Sequence, residues 1–443
     1  MKMSRVWAIG LALVGTVAGS GGVLALNAPH TLRHSRSTEQ HLAQSRHAAK
    51  PHTAAHAAQP AAKSTKARVA ANDASPRQEA RLTARGKGRA SARRVALTSR
   101  RHRFSERFTA SSFAQGDIFA GDITAGEDPL VRQAAIDALG DMNGTAVVID
   151  PSNGRILAMV NQKLALSPGA EPCSTIKITV AMAALSEGLV TRDTPVQLAG
   201  FRMNMTQALA KSNNLYFEEL GRELGFERVR RYANQFGLGE LAGYHIQGEQ
   251  LGQYPDKELP ASEGGVGRMC SFGQGVSLTP LQLGAYVAAI ANGGTLYYLQ
   301  HPTTQAEAAA MEPKVKRTLD IAKYVPDLQD GMAGAVEYGT ARRLRANFNE
   351  LPVFGKTGTC SDKGTRFGWF ASYSDSPQGS LVTVFFLEGG RPTFGPRAAE
   401  LTGEFYKNLW DRNYFANKSQ QEASAAQPTA PELPVEATQA ASQ

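Results

Sequence analysis

Read in order, the apolar and polar positions of this chain change pattern three times. Val6 to Leu26 is a largely apolar run of 21 residues behind the basic head Met1-Lys2-Met3-Ser4-Arg5, long enough to cross a bilayer as a helix. From Asn27 to about Ala125 the periodicity disappears into Ala, Arg, Lys, His, Ser and Gln. It returns near Glu127, persists to about Arg412, and fades again in the Gln/Ala/Pro/Glu-rich end from Asn417. The pattern predicts a signal anchor or signal peptide over 1–26, a disordered basic linker over 27–125, one folded domain over 126–414 and a disordered tail over 415–443. The anchor is favoured over a cleaved signal, because no A-x-A site closes the run.

Within the folded region the pattern alternates between two periods. Gly144–Asp150 and Arg155–Val160 are β-rich and joined by Pro151-Ser-Asn-Gly154, a hairpin signal. A helix is predicted from at or just before Ser174, with Pro172 placed for a start and the apolar run Ile178–Leu185 behind it. Helical runs follow at 203–211, 215–224 and 226–236, broken by Ser212-Asn213-Asn214 and by glycines. Thr279-Pro280 opens a helix through Asn292, and Pro326–Arg345 reads as another. Strands return at Val353–Cys360, Arg366–Ser374 and Leu381–Glu388, and Arg397–Trp410 closes as an amphipathic helix. Strands, a helical insert, strands and a final helix imply an α/β fold of the α+β type. Its central antiparallel sheet pairs the first and last thirds, with helices on both faces and an inserted helical lobe.

Charge sharpens the division. Between Arg33 and Arg107 there are 18 Lys/Arg against 4 Asp/Glu; with the +2 of Lys2 and Arg5 taken off the formal +9, residues 108–443 carry −7. The basic character therefore belongs to the linker. For an exported chain, attraction to anionic head groups or an acidic wall polymer fits better than nucleic acid, and a solvated spacer fits as well. The reading is of a single-pass inner-membrane protein, or an exported one if the signal is cleaved, with its folded domain in the periplasm.

Seven of the nine histidines (30, 34, 41, 47, 52, 56 and 102) lie in that linker, which leaves His245 and His301 in the folded region. No G-x-S-x-G, no H-E-x-x-H and no Cys/His cluster with metal spacing occurs. A Ser-His-Asp hydrolase is thus nearly excluded, and no metal or cofactor is called for. Ser174 and Lys177 are one helical turn apart at the start of a helix. There, unpaired N–H groups and the helix dipole favour negative charge on the serine, and burial lowers the lysine towards a value useful for a base. Ser212-Asn213-Asn214 is a polar break able to present a hydroxyl and a carboxamide, although it is also an ordinary helix cap. Gly355-Lys356-Thr357-Gly358-Thr359 lies on a predicted strand, its glycines permitting close backbone approach and its lysine offering charge to a carboxylate.

These three stretches in this order resemble the penicillin-binding transpeptidases of the serine penicillin-recognising superfamily. Their motifs are matched by Ser174-Thr175-Ile176-Lys177, Ser212-Asn213-Asn214 and Lys356-Thr357-Gly358. A longer match runs through Ser271-Phe-Gly-Gln-Gly275, Ser277–Leu283 and Ala288–Gly294, and the resemblance covers nearly all of 127–412. It implies the β-lactamase/transpeptidase-like fold and a D,D-transpeptidase acting on peptidoglycan stem peptides and acylated by β-lactams. It further implies that Ser174 attacks the penultimate D-alanine carbonyl while Lys177 takes its proton. The N–H groups of Ser174 and Thr359 then form the oxyanion hole, Ser212 relays a proton to the leaving group, and Asn214 holds the substrate amide. Lys356, Thr357 and Gly358 serve the terminal carboxylate. The acyl group passes to an amine or to water.

The sequence departs from the family where Cys173 stands in place of a common glycine, with Cys360 directly after Thr359. The arrangement is similar to a disulfide of certain class A carbapenem-hydrolysing β-lactamases, and implies a Cys173–Cys360 bridge beside the oxyanion hole; Cys270 is left over. A serine β-lactamase is the rival reading, and a sensor that binds β-lactams without turnover is another. The E-x-x-x-N pattern of class A enzymes has no match between Asn214 and Lys356, and class D enzymes carry Val or Ile where Asn214 stands.

Overall fold

Asp150 closes the first hairpin. Its Oδ1 accepts from the Ser152 amide at 3.0 Å and the Ser152 hydroxyl at 2.6 Å, and Gly154 completes the turn at φ 79°. A positive φ there is open to glycine at little cost. The computed structural model describes residues 109–376, 379–390 and 394–416. The apolar run 6–26, most of the basic linker and the tail from 417 lie outside the described residues.

The strands are β1 (Gly144–Asp150), β2 (Arg155–Val160), β3 (Val196–Leu198), β4 (Phe201–Met203), β5 (Thr295–Tyr298), β6 (Lys314–Thr318), β7 (Val353–Asp362), β8 (Thr365–Ser374) and β9 (Leu381–Gly389). Five of them form an antiparallel sheet in the order β2-β1-β9-β8-β7. The first and last thirds of the domain pair through Val147↔Val384, and the β7 motif strand takes one edge. Alternation sends side chains to two cores. Val147 and Ile149 join Trp369, Val384 and Phe386 on one face, under the helices Lys177–Ser186 and Pro280–Ala291. Ala146 and Val148 join Phe370, Phe385 and Leu387 on the other, under Pro129–Leu139 and Gly395–Asp411.

Between β2 and β7 the inserted lobe holds helices Met205–Lys211, Asn214–Leu224, Phe226–Gln235 and Gly265–Phe272. The Pro280–Ala291 helix is fixed by a capping box, in which Thr279 Oγ1 accepts from the Gln282 amide at 3.1 Å and Gln282 Oε1 from the Thr279 amide at 3.0 Å. The predicted 326–345 helix is shorter: it spans Val325–Glu337 and is followed by a 3-10 turn at Leu344–Ala346. It stops where the Gly339 amide turns back to the Gly334 carbonyl, with Gly339 pressed against Ala210.

Two predicted domain boundaries need correction. Residues 109–125, assigned above to the disordered linker, are built into the domain. Phe113 bridges Met142, the Ser112 hydroxyl donates to the Gly390 carbonyl at 2.9 Å, and Phe113, Ile118 and Phe119 pack on the second core. Asp122 accepts from Arg132 at 2.8 Å and from the amides of Asn161 and Gln162 at 3.0 and 2.8 Å. At the other end, Tyr414 and Phe415, assigned to or beside the tail, are buried in the domain. In both places a few apolar side chains and buried acceptors outweigh the polar average of their surroundings.

Candidate active site

The serine of the first motif sits in a 3-10 turn, Cys173–Ile176, and the α-helix starts only at Lys177. This differs from the predicted α-helical start. The tighter turn follows from Pro172 and from Cys173, whose φ is 51°. Positions three apart eclipse in a 3-10 turn, so the change brings Ser174 and Lys177 into line. Lys177 Nζ lies 2.7 Å from Ser174 Oγ.

Lys177 is fully buried and reaches the second motif as well. Its Nζ donates to Asn214 Oδ1 at 2.6 Å and to the Ser212 carbonyl at 3.3 Å, and stands 3.4 Å from Ser212 Oγ. Ser212 ends the Met205–Lys211 helix in a left-handed conformation, φ 54°. Asn213 caps the next helix by accepting from the Tyr216 amide at 2.9 Å. Asn213 is thus the cap, while Ser212 and Asn214 on either side of it reach Lys177.

The third motif lies on the edge strand β7. Lys356 Nζ donates to Ser212 Oγ at 2.8 Å and to the Thr357 carbonyl at 3.0 Å, and the Thr357 hydroxyl meets Thr340 Oγ1 at 2.6 Å. Gly358 faces the serine turn: a Cβ there would sit 2.8 Å from the Pro172 carbonyl oxygen and 3.1 Å from Thr175 Cγ2. Thr359 is exposed, and its hydroxyl accepts from the Gly395 amide at 2.9 Å. Cys173 and Cys360 are joined by a disulfide with 5.6 Å between Cα atoms. Trp369 Nε1 donates to the Glu171 carbonyl at 3.0 Å, fixing the approach to the turn from the sheet side. Cys270 is buried and free, and burial pushes its thiol up, away from reactivity.

The electrostatics follow from burial. Desolvation brings the Lys177 ammonium down to about 7, against the opposing pull of the Glu218 carboxylate. Lys356 is held well below its ordinary value, first by burial and then by the charge of Lys177. A lysine neutral near pH 7 and hydrogen-bonded to a hydroxyl can take its proton. A second buried lysine, linked to the first through Ser212 Oγ, can pass protons and attract a carboxylate. Among the described residues no group of three or more His, Cys, Asp or Glu is placed to hold a metal.

The site so far consists of residues singled out in the sequence: Ser174, Lys177, Ser212, Asn214, Lys356, Thr357 and Gly358 converge, with Thr359, Cys173 and Cys360 beside them. Thr340 was missed. It lies in an unremarkable Tyr-Gly-Thr-Ala stretch, and only the fold shows that it touches Thr357.

The model of the penicillin-binding protein transpeptidase domain matches residues 144–407. The chain belongs to this family. Among similar proteins, Stage V sporulation protein D of Bacillus subtilis is 28% identical over 316 residues, covering 59% of this chain and 48% of that one. Peptidoglycan D,D-transpeptidase MrdA of Acinetobacter baumannii is 25% identical over 349 residues, 61% and 51% of the two chains. The chain spans about half the length of these curated relatives. Among solved structures, Pseudomonas aeruginosa PBP2 superposes with a TM-score of 0.54 at 22% identity, covering 65% of this chain and 74% of that one. That similarity shows a shared fold. The penicillin-binding protein transpeptidase match encloses the three motifs and the long 271–294 segment, but leaves out residues 109–143, whose packing onto the domain only the structure reveals.

Proposed function

We propose that this chain is a peptidoglycan D,D-transpeptidase that acylates Ser174 with a D-Ala-D-Ala stem peptide and is acylated there by β-lactams. The observation that carries the reading is the 2.7 Å contact between Ser174 Oγ and a buried lysine brought down to about 7. Lys177 takes the hydroxyl proton as Ser174 attacks the carbonyl of the penultimate D-alanine. Ser212, between Lys177 and Lys356, passes a proton to the departing D-alanine. Asn214 orients Lys177 through its carboxamide oxygen and offers its amide nitrogen to the substrate backbone. Lys356 and Thr357 receive the terminal carboxylate. The N–H groups of Ser174 and Thr359 stabilise the oxyanion, and Gly358 lets the two segments approach. An amine of a second stem peptide then takes the acyl group and forms the cross-link; water in its place gives carboxypeptidase activity.

The reading also assigns the apolar run 6–26 as the membrane attachment and places the catalytic domain in the periplasm. Among the described residues no helix is long and apolar enough to cross a membrane. The test is intact mass of the full chain after exposure to benzylpenicillin, followed over hours, with Ser174→Ala alongside. A persistent adduct on the unmutated chain alone supports acylation at Ser174. An adduct that vanishes within seconds while drug is consumed indicates a β-lactamase, and no adduct refutes the serine chemistry.

A further inference from the structure

Beside the Pro172–Ser174 turn lie charges of both signs that do not meet. Arg268, on the Gly265–Phe272 helix, is half-buried, with its guanidinium 4.0 Å from the centre of the Phe272 ring. Among the described residues its one polar contact is a long 3.4 Å bond from Nε to Gln274 Oε1, and it makes no ion pair. Helix and turn are in direct contact, because Gly273 is so close that a Cβ there would lie 2.6 Å from Pro172 Cγ and 3.2 Å from the Cys173 carbonyl oxygen. Glu171 immediately precedes Pro172, and its carboxylate is half-buried and unpaired among the described residues. Asp362 ends β7 two residues after Cys360, which is bonded to Cys173. Glu171 lies in the field of both: burial first and the Asp362 charge second hold it above the ordinary carboxylate range, while Arg268 acts in the opposite sense.

A half-buried guanidinium stacked on a ring, with most of its N–H fork unengaged, is arranged to receive a carboxylate. Two carboxylates in the same field would repel a simple anion but attract an ammonium. Resting on the transpeptidase reading above, we propose that Arg268, Glu171 and Asp362 form a subsite for the acylating stem peptide. The subsite takes a side chain that ends in a carbon carrying both an ammonium and a carboxylate. Arg268 receives the carboxylate, and Glu171 and Asp362 flank the ammonium. A ligand with both charges on one carbon can meet groups of both signs that do not pair with each other among the described residues.

The test uses the full chain and three N-acetyl-X-D-Ala-D-Ala peptides, with X as meso-diaminopimelate (zwitterionic end), lysine (cationic end) or norleucine (no charge). The readout is the concentration of each that protects Ser174 from acylation by benzylpenicillin. The zwitterionic peptide is expected to protect at about tenfold lower concentration than the norleucyl one, a ratio set by hydrogen bonds to charged groups. Arg268→Ala should bring that ratio towards one, Arg268→Lys should restore part of it, and Arg268→Glu should move the preference to the lysyl peptide. Equal protection by all three peptides, or a ratio that survives Arg268→Ala, overturns the subsite. So does a loss that weakens all three in the same proportion, which would mark Arg268 as merely structural. A chain that benzylpenicillin does not acylate at all fails earlier, and takes the serine chemistry and this subsite down together.

Discussion

Cys173 holds a left-handed backbone, φ 51°, while bonded to Cys360 across 187 residues of sequence. That conformation costs a non-glycine residue about 1–2 kcal/mol, and it directly precedes Ser174. The bridge and the conformation therefore belong together: the disulfide ties the serine turn to the residue after Thr359, and it secures a backbone that glycine would adopt unaided. Removing it should lower stability by about 2–5 kcal/mol.

A comparison that lacks the disulfide in both arms isolates the backbone term. Cys173→Gly with Cys360→Ala should be about 1 kcal/mol more stable than Cys173→Ala with Cys360→Ala, since only the second keeps a Cβ on a left-handed residue. Denaturant unfolding measures the difference. Equal stabilities would mean that the turn relaxes once the bridge is gone, and that the disulfide alone imposes its shape.

Gly358 tests the other side of the same contact. Its added Cβ would fall 2.8 Å from the Pro172 carbonyl oxygen, 3.1 Å from Thr175 Cγ2 and 3.1 Å from Trp369 Cβ, so β7 and the serine turn must separate. Misplacing reacting groups by about 1 Å costs on the order of 10² in rate. Gly358→Ala should slow benzylpenicillin acylation by that order while the domain stays folded by circular dichroism. A loss below about threefold, small against that factor, would show that the turn and β7 can move apart without consequence.

How far the sequence could be read depended on whether the signal was local. The β1–β2 hairpin, the capped Pro280–Ala291 helix and the β7–β9 strands were legible, because period, turn residues and caps are written within a dozen positions of each other. That Ser174, Lys177, Ser212, Asn214 and Lys356 come together was legible too, since their motifs are short and placed in order along the chain. Residues 109–125 were not. Asp122 earns its place through Arg132, Asn161 and Gln162, partners up to 40 residues away that composition cannot reveal. The end of the basic bias at Arg107 was the available clue. Thr340 and Arg268 were invisible for the same reason: their meaning comes from Thr357 and from the Pro172 turn, brought alongside by the fold.

The corrected boundary has a measurable consequence. The Asp122 side chain is only 4% exposed and accepts from a guanidinium and two amides. Asp122→Ala leaves those donors buried without it, at a cost of about 3 kcal/mol. The full-length variant should show a thermal midpoint lower by several degrees. An unchanged midpoint would mean that residues 109–125 add nothing to the domain's stability.

The pH dependence of acylation tests the base directly. Lys177 can accept the Ser174 proton only as a neutral amine, and burial brings its pKa to about 7. Below that value the rate of benzylpenicillin acylation should rise about tenfold per pH unit, and above it the rate should level off. An unperturbed lysine would put the bend near its ordinary 10.5 instead. The Glu218 carboxylate opposes the shift by favouring the charged form, so Glu218→Gln should move the bend to lower pH and raise the rate on its acidic side. Lys177→Arg should slow acylation by about 10²–10⁴ and flatten the profile, because a guanidinium stays protonated across the range. A bend that ignores Glu218→Gln, or an arginine variant that keeps the slope, would assign the titration to another group and remove Lys177 from the role of base.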